Sequence, residues 1–354
     1  MGIIMGMNLL IEASPLPHKI LELISFIDSF NGRWEVASWL RPDVLSQLKR
    51  TTIITSSGSS TRIEGARLTN EQIRQALKGL KIQNLVSRDE KEVQGYIELL
   101  EMVFDRYSAI SLTESNIKTL HKHLMDYVDE ADRHKGCYKS LPNHVMAYDN
   151  MTKEEVGVVM ETTEPAFTEI EMKKLIQAYQ QAKARRIHSL LALAEFVLRF
   201  LKIHPFQDGN GRLSRILTNL IFLQSGYSFV QYVSHEKFIE DNKEDYYLAL
   251  NKGQKALLKN ELPVDWFVFF LNILKQQIVF IRERVDIEKQ LTKLKQREKE
   301  ILNIALQQER ITNQIIRKRL GYSPNTIKKD LKNLVDNGKL DKHGVGKGTY
   351  YTVK

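Results

Sequence analysis

The chain has 354 residues, of which 42% are hydrophobic, and its net charge is +9 at pH 7. This length predicts two or three domains, and the hydrophobic content fits ordinary globular cores. The single cysteine, Cys137, excludes an internal disulfide framework and favours a reducing, cytoplasmic location. No apolar run reaches the length needed to span a bilayer, and the first residues lack a basic signal segment, so we expect no membrane partner.

The positive charge is concentrated near the C-terminus. From Lys295 to Lys354 there are 14 Lys or Arg residues against six Asp or Glu, a net charge of +8. This asymmetry predicts an appended module that meets an acidic partner, and nucleic acid is the first candidate.

Hydrophobic periodicity predicts helices in the N-terminal part of the chain, for example from Leu16 to Phe30 and after Pro42. Within Ser56 to Gly65, the pattern Thr61-x-x-Glu64 has the spacing of a capping box that would open a short helix. Further along, His121 and His123 have no cysteine or carboxylate partners at metal-binding spacing. We therefore expect them to have packing or surface roles.

A strand pattern appears in the middle of this helical chain. Residues Tyr138 to Tyr148 and Glu155 to Thr163 flank Asp149-Asn150, which predicts a β-hairpin. An ordinary β-insertion without a role in binding is the alternative interpretation.

The stretch with the most residues suited to phosphate chemistry is His204-Pro-Phe-Gln-Asp-Gly-Asn-Gly-Arg-Leu-Ser-Arg215. It follows an apolar helix from Ile187 to Leu201. A histidine can act as a base, and an aspartate can hold a hard cation through oxygen. Glycines allow backbone N–H groups to approach an anion at the start of a helix. The two arginines are three residues apart, so they share one helix face and can bind a polyphosphate. A glycine-rich turn between helices is the plain alternative.

This stretch resembles the signature of Fic-domain proteins, H-P-F-x-[D/E]-G-N-G-R-x-x-R, with every fixed position present. The resemblance implies a mainly α fold, namely a Fic helical bundle with a β-hairpin flap. It implies an N-terminal helical region at residues 1–110, with an inhibitory helix near 56–66, and a catalytic core at 111–285. In the family, the flap pairs its edge with a target peptide, and we assign Thr162 and Thr163 to it only weakly.

The resemblance also implies an activity, the transfer of AMP from ATP to a Ser, Thr or Tyr hydroxyl of a target protein. His204 would be the catalytic base, and Asp208 would hold Mg²⁺. The implied ATP- and phosphate-binding residues are Gly209, Asn210, Gly211, Arg212, Arg215, Tyr246, Tyr247 and Gln254. The tyrosine pair is similar to one that contacts the adenine and ribose in the family, although helix packing is its alternative role. Gln254 stands where the family often has Asn.

Ser60-Thr-Arg-Ile-Glu64-Gly65 is similar to the family's inhibitory pattern [S/T]-x-x-x-E-[G/N]. There the glutamate binds the second arginine of the signature, here Arg215, and restrains transfer. The chemistry is sound because a carboxylate binds the same guanidinium that would hold a phosphate.

Residues 286–354 read as a winged helix-turn-helix. Two short helices are followed by Ser323-Pro324, a strong start signal for a third, and by strands at Lys339–His343 and Thr349–Val353. Asn325, Thr326 and three lysines would face outward from the third helix, which favours DNA binding, although such modules also bind proteins.

Two rival functions remain open on sequence grounds. One is a related reaction on the same site, either removal of AMP or transfer of another nucleotide or phosphate group. The other is a DNA-binding transcription regulator with a sensory Fic domain. Self-modification and a homodimer are further expectations.

Overall fold

The computed structural model describes residues 9–12, 15–35, 42–79, 87–128, 134–148, 155–292 and 295–353. The chain divides into two compact units, Met1–Ile281 and Arg282–Lys354.

Helices make up most of the first unit. In chain order they are α1 (His18–Glu35), α2 (Pro42–Ile63), α3 (Asn70–Gly79), α4 (Arg88–Arg106), α5 (Glu114–Leu124), α6 (Pro165–Ala184), α7 (Ser189–Ile203), α8 (Asn210–Gln224), α9 (His235–Asp241), α10 (Lys243–Leu258) and α11 (Val264–Thr292). Two of these helices begin earlier than their apolar patterns suggest, because capping residues precede the patterns. Ser87 forms a capping box with Glu90 at the start of α4, and Pro165 is the first residue of α6.

The centre of this unit is α7. Its side chains are buried on almost every face, and Leu190, Ala194, Phe196 and Phe200 have no exposed surface. The apolar helix that the sequence predicts from Ile187 to Leu201 is confirmed. Burial of so apolar a helix fixes the position of the turn that follows its last residue, Ile203.

The predicted hairpin is confirmed between β1 (His144–Tyr148) and β2 (Glu155–Glu161). The two strands pair antiparallel, with His144 opposite Glu161 and Tyr148 opposite Glu155. The tip that the sequence places at Asp149-Asn150 lies outside the described residues.

Helix α11 corrects one expectation. Its segment Val264–Val285 has 22 residues and is long and apolar enough to cross a membrane by length and composition, so the prediction that no run reaches that length was wrong. Much of its apolar surface is used inside the fold. Trp266 is buried and donates a hydrogen bond of 2.6 Å from its Nε1 to the carbonyl oxygen of Ala194 in α7.

The second unit contains α12 (Gln296–Leu306), α13 (Asn313–Leu320), α14 (Pro324–Asp336), β3 (Leu340–His343) and β4 (Tyr350–Val353). The Ser323 hydroxyl accepts the Thr326 N–H, so Ser323 caps α14 as predicted. The strands β3 and β4 pair antiparallel. A small core, which includes Ile301, Ile316, Ile327 and Leu331, joins the three helices.

Candidate active site

The turn between α7 and α8 carries the residues of the sequence signature. His204 ends α7 in a left-handed conformation, with φ of 51° and ψ of 60°. Gly209 precedes α8 with φ of 76°, a conformation that favours glycine. A Cβ atom at Gly209 would also lie only 3.1 Å from the Met125 sulfur. The two left-handed residues reverse the chain, so that the imidazole and the start of α8 lie in one turn.

The His204 ring has one unprotonated nitrogen. Its Nδ1 lies 3.3 Å from the Leu201 carbonyl oxygen, and a carbonyl only accepts, so Nδ1 carries the proton and Nε2 is the acceptor. Burial lowers the pKa of His204 to about 4, with Lys139 acting in the same direction and Glu64 and Asp208 opposing it. The imidazole is therefore neutral at pH 7.

The Asn210 side chain forms hydrogen bonds within the turn itself. Its Oδ1 accepts the Phe206 N–H at 2.9 Å, and its Nδ2 donates to the Phe206 carbonyl oxygen at 2.7 Å. The amide is buried and shapes the turn. The backbone N–H groups of Asn210 and Gly211 belong to the first turn of α8, where no intrahelical acceptor is available.

His121 supports the same turn from α5. Its ring stacks on Phe206 with a centroid distance of 3.8 Å. The Gly136 N–H donates to its Nδ1 at 3.0 Å, so Nε2 carries the proton and donates to the Asp208 carbonyl oxygen at 3.0 Å. Burial lowers the pKa of His121 to about 4. His121 therefore has the expected packing role, and it packs against the turn that carries the candidate site.

The base of the hairpin supports the other side of the turn through Lys139. This side chain is buried, and its Nζ donates to Asn143 Oδ1 at 2.8 Å, to Thr162 Oγ1 at 2.9 Å and to the Ile203 carbonyl oxygen at 3.1 Å. Asn143 Nδ2 in turn donates to the Phe206 carbonyl oxygen at 2.7 Å. Burial lowers the pKa of Lys139 to about 8.

Thr162 and Thr163 lie just after β2 rather than along the strand. The Thr162 hydroxyl contacts Asn143 and Lys139, and the Thr163 N–H donates to the Lys202 carbonyl oxygen at 3.3 Å. Thr163 therefore attaches the end of the hairpin to α7, and Thr162 attaches it to Asn143 and Lys139.

Asp208 and Arg212 form one charged group at the site. Arg212 Nη2 lies 3.2 Å from Asp208 Oδ1, and its Nη1 lies 3.0 Å from Glu92 Oε2 in α4. Arg88 bridges the same two carboxylates, at 2.8 Å to Asp208 and 2.9 Å to Glu92. Burial raises the pKa of Asp208, but Arg212, the Gly209 N–H and Arg88 together bring that pKa below its usual value.

Arg215 and Glu64 form the second charged group. Arg215 Nη2 donates to Glu64 Oε1 at 2.7 Å and to the Ser60 carbonyl oxygen at 2.9 Å, while its Nε donates to Ser60 Oγ at 2.8 Å. Burial lowers the pKa of Arg215, but the Glu64 carboxylate and nearby tyrosines outweigh burial, so its pKa is raised overall. Its Nη1 is buried and has no hydrogen-bond partner among the residues that the structure describes.

Glu64 also lies against the start of α8. A Cβ atom built on Gly211 would come 2.1 Å from Glu64 Oε1, so only glycine leaves room for this carboxylate. The alternative in which Thr61 opens a short helix is wrong. Thr61 belongs to the last turn of α2, and its hydroxyl donates to the Ser57 and Gly58 carbonyl oxygens, 3.0 Å from each.

The tyrosine pair lies on α10 beside Arg215. The rings of Tyr246 and Tyr247 are 5.1 Å apart in an edge-to-face arrangement. Burial raises the pKa of Tyr246 to about 12, while Arg215 acts against that change. Gln254 is buried further along α10, and its Nε2 has no hydrogen-bond partner in the described part of the chain.

Sequence reasoning missed Lys139, Asn143, Glu92 and Arg88. Lys139 and Asn143 reach the turn across 61 to 64 residues of chain, so no local pattern points to them. The spacing of Arg88 and Glu92 predicts an ion pair on α4, but not that α4 lies beside Asp208. His121 could have been found, because it shares the apolar face of α5 with Ile117 and Leu124.

Comparisons with known proteins match two parts of the chain to known domains. Residues 111–222 match the family model described as Fic/DOC, and residues 297–347 match that of the DeoR-like helix-turn-helix domain. The chain therefore contains a Fic domain followed by a DeoR-like helix-turn-helix domain, in a mainly α fold.

Two curated relatives and one solved structure extend the comparison. A Fido domain-containing protein of Dictyostelium discoideum is 42% identical over 66 residues, which are 18% of this chain and 46% of that protein. Protein adenylyltransferase Fic of Drosophila willistoni is 26% identical over 250 residues, which are 66% of this chain and 46% of that protein. The chain thus spans less than half the length of either relative. A Fic family protein from Desulfovibrio desulfuricans has a TM-score of 0.62 at 22% identity, over 96% of this chain and 97% of that one, and so shares the fold.

Proposed function

We propose that this chain is a protein adenylyltransferase that moves AMP from ATP to a Ser, Thr or Tyr hydroxyl of a target protein. The observation that carries the proposal is the environment of Arg215. This buried guanidinium lies at the start of α8, with one nitrogen bound to a carboxylate and Nη1 without a partner among the described residues. Such a donor set suits a terminal phosphate of a nucleotide. The name of the Drosophila relative, protein adenylyltransferase Fic, supports the same activity.

The proposed chemistry starts at His204. Its unprotonated Nε2 accepts the proton of the target hydroxyl as the hydroxyl oxygen bonds to the α-phosphorus of ATP. The bond from that phosphorus to the bridging oxygen breaks, and pyrophosphate leaves with the electron pair. The proton stays on His204 until solvent or the next step removes it. The low pKa of His204 keeps the base available at neutral pH.

The start of α8 would stabilise the charge that develops on the phosphate. The backbone N–H groups of Asn210 and Gly211 have no intrahelical acceptors, and the helix dipole adds positive potential there. Arg212 and Arg215 would hold the β- and γ-phosphates, since both are buried and positively charged.

Asp208 fits a role as a single carboxylate ligand of Mg²⁺. In the described residues no group of three or more His, Cys, Asp or Glu side chains forms a metal cage. Mg²⁺ in nucleotide enzymes commonly uses one or two carboxylates together with substrate phosphates. When bound, the ion would neutralise phosphate charge. The Asp208 carboxylate is partly exposed, and its present cationic partners are Arg88 and Arg212.

Glu64 would restrain this reaction. Its carboxylate binds Arg215 and lies against Gly211, in the space that a phosphate on the same guanidinium would need. A carboxylate and a phosphate cannot both occupy that space, so binding of one excludes the productive placement of the other.

The hairpin β1–β2 would present the target. An extended peptide can add to the free edge of a two-stranded sheet through backbone hydrogen bonds, which places a side chain without reading its identity. Because Lys139 and Asn143 join the hairpin base to the turn, a peptide on that edge would be held in register with His204.

Labelling with α-³²P-ATP tests the proposal in the full chain with Mg²⁺. We expect weak protein labelling for wild type, strong labelling for Glu64→Gly and none for His204→Ala, with self-modification as one route for the label. Label that appears only from the γ position would indicate phosphate transfer instead. Equal labelling of wild type and Glu64→Gly would contradict restraint by Glu64.

A second activity, DNA binding by the DeoR-like domain, is favoured by the exposed face of α14. Asn325, Lys328, Lys329 and Lys332 are all exposed there, whereas Thr326 is half-buried beside Ser323. Lysines on one helix face suit phosphate contacts, and an amide can read a base edge.

Replacing those three lysines by Gln in the full chain should weaken binding to duplex DNA at low salt and flatten the salt dependence. The matched control replaces three exposed lysines of the first unit, Lys252, Lys255 and Lys259. Equal binding by the two triple variants would count against α14 as the DNA-contacting helix.

A further inference from the structure

We propose that Arg62 and Glu240 are positioning residues that hold Glu64 against Arg215 and thereby set the resting activity of the site. This inference rests on the proposed function and on restraint by Glu64. Arg62 is two residues before Glu64 at the end of α2, and Glu240 lies near the end of α9.

The pair between them is bidentate. Arg62 Nε lies 2.5 Å from Glu240 Oε1, and its Nη2 lies 3.0 Å from Glu240 Oε2. Both side chains are about one-fifth exposed, so the Glu240 carboxylate is more shielded from water than the Glu64 carboxylate, which is 36% exposed. A forked pair of this kind fixes orientation as well as distance.

The remaining donors of Arg62 bind the chain on both sides of Glu64. Its Nη1 donates to the Leu68 carbonyl oxygen at 2.8 Å and to Asn70 Oδ1 at 3.1 Å, and its Nη2 donates to Ser59 Oγ at 3.2 Å. The guanidinium therefore joins α2, the segment after Glu64, the start of α3 and α9. Glu64 therefore lies between two segments of chain that Arg62 holds in place.

Glu64 itself has weaker support. Its side chain is 36% exposed, and its pairing with Arg215 runs through a single oxygen. The Arg215 side chain is only 3% exposed, so Glu64 is the exposed end of this pair, and its side chain must be ordered for the pair to form. The backbone that presents Glu64 must therefore be held in place. Three backbone hydrogen bonds fix the turn that contains both residues: the Glu64 and Ala66 N–H groups donate to the Thr61 carbonyl oxygen, and the Gly65 N–H donates to the Arg62 carbonyl oxygen. The position of Arg62 therefore determines the position of Glu64.

Gly58 is a second feature of α2 that the position of the Arg62 guanidinium requires. It lies in the interior of α2, where glycine disfavours the helix. A Cβ atom there would come 2.6 Å from Arg62 Nη1 and 2.6 Å from Asn70 Oδ1. The missing side chain is what gives the Arg62 guanidinium its space.

The test is a double-mutant cycle in the full chain, with initial rates of α-³²P-ATP labelling. Glu240→Gln keeps the shape of the side chain but removes the charge that binds Arg62. We expect labelling to rise about fivefold over wild type, the effect of losing one moderate ion pair. In a Glu64→Gly background the same change should alter labelling by less than about twofold, because the residue being positioned is already absent.

Asp241→Asn is the matched control. Asp241 is next to Glu240 and pairs with Lys237, which itself lies 4.0 Å from Glu240 Oε2. This control should leave labelling within about twofold of wild type. Asn70→Ala removes one acceptor of Arg62 and should produce a smaller rise than Glu240→Gln, so it serves if Glu240→Gln folds poorly.

Unchanged labelling in both Glu240→Gln and Asn70→Ala overturns the inference, as does an equal rise in the wild-type and Glu64→Gly backgrounds. Those results would leave the proposed function intact as long as Glu64→Gly labels strongly. Absence of label in Glu64→Gly is the separate result that rejects the proposed function, and this inference with it.

Discussion

The turn between α7 and α8 has two sides with opposite character. On the hairpin side, Lys139 Nζ has three acceptors, and Asn143 accepts from the Thr162 hydroxyl and donates to the turn at the Phe206 carbonyl oxygen. On the α2 side, Arg215 Nη1 lacks a partner among the described residues, and its other nitrogens bind a serine and a partly exposed carboxylate. Saturated polar groups hold a geometry, whereas buried donors with capacity left can accept a ligand.

The largest effect should come from the unsaturated side. In a Glu64→Gly background, Arg215→Leu removes a buried cation from the phosphate site and should lower the rate of AMP transfer about 100-fold. Initial rates of labelling at several ATP concentrations measure the loss. The exposed Arg282→Leu is the control, and a loss of less than about threefold for Arg215→Leu would remove Arg215 from the phosphate site.

The saturated side should give a smaller loss. Lys139→Met keeps side-chain volume but removes a buried donor that three acceptors share, so we expect transfer to fall about tenfold and the melting temperature to drop. The apparent ATP affinity should change little, because Lys139 contacts the turn and not the phosphate side. Lys202→Met changes a half-buried lysine near the end of α7 and should have a much weaker effect. If Lys139→Met raised the ATP KM as strongly as Arg215→Leu does, the two sides would not be distinct.

Arg88 is one of two cationic side chains that bind the Asp208 carboxylate, and Arg212 is the other. Arg88→Ala removes a competitor of a metal ion for Asp208, so the Mg²⁺ concentration for half-maximal transfer should fall about threefold. Titration of Mg²⁺ in the Glu64→Gly background measures it, with Arg106→Ala at the end of the same helix as control. A higher Mg²⁺ requirement would show that Arg88 helps to hold the site and does not compete for it.

The smallest effect is expected from pH between 5.5 and 7.5, where transfer should change less than about twofold. Burial places the pKa of His204 at about 4, so the base loses its free Nε2 only as pH falls toward that value. An ordinary histidine would keep only about one-tenth of its neutral form at pH 5.5. Burial places the pKa of Lys139 at about 8, so transfer should fall as pH rises through 8 and the Lys139 ammonium loses its charge. A steep decline between pH 7 and 6 would contradict the buried position of His204.

The two sides also differ in how much the sequence predicts. Residues His204 to Arg215 are contiguous, so their spacing alone places a base, a carboxylate and two arginines in one turn. Lys139 and Asn143 contact that turn only because the hairpin folds back on α7, and a local pattern carries no information about such a contact. Asn210 shows a limit within the contiguous stretch, since its type suits phosphate binding but its amide is used by Phe206.

Helix boundaries show the same limit at a smaller scale. Thr61-x-x-Glu64 has the spacing of a helix start, yet it lies at the end of α2, because the buried small residues from Ser56 to Ser60 already belong to that helix. Tertiary packing keeps these residues in α2, although the local pattern favours a helix that starts at Thr61. The part of this sequence pattern that has a contact in the structure is Glu64, whose carboxylate binds Arg215.

His204 occupies the backbone position at the end of α7 that a glycine would occupy most easily. Its left-handed conformation costs about 1 kcal/mol in a residue with a Cβ atom, and burial of its imidazole opposes protonation as well. Selection for stability alone would therefore replace the base with glycine and gain a better helix ending. The fold therefore accepts a cost in stability at the residue that would act as the base, and the proposed reaction, not the ending of α7, explains why a side chain stands there.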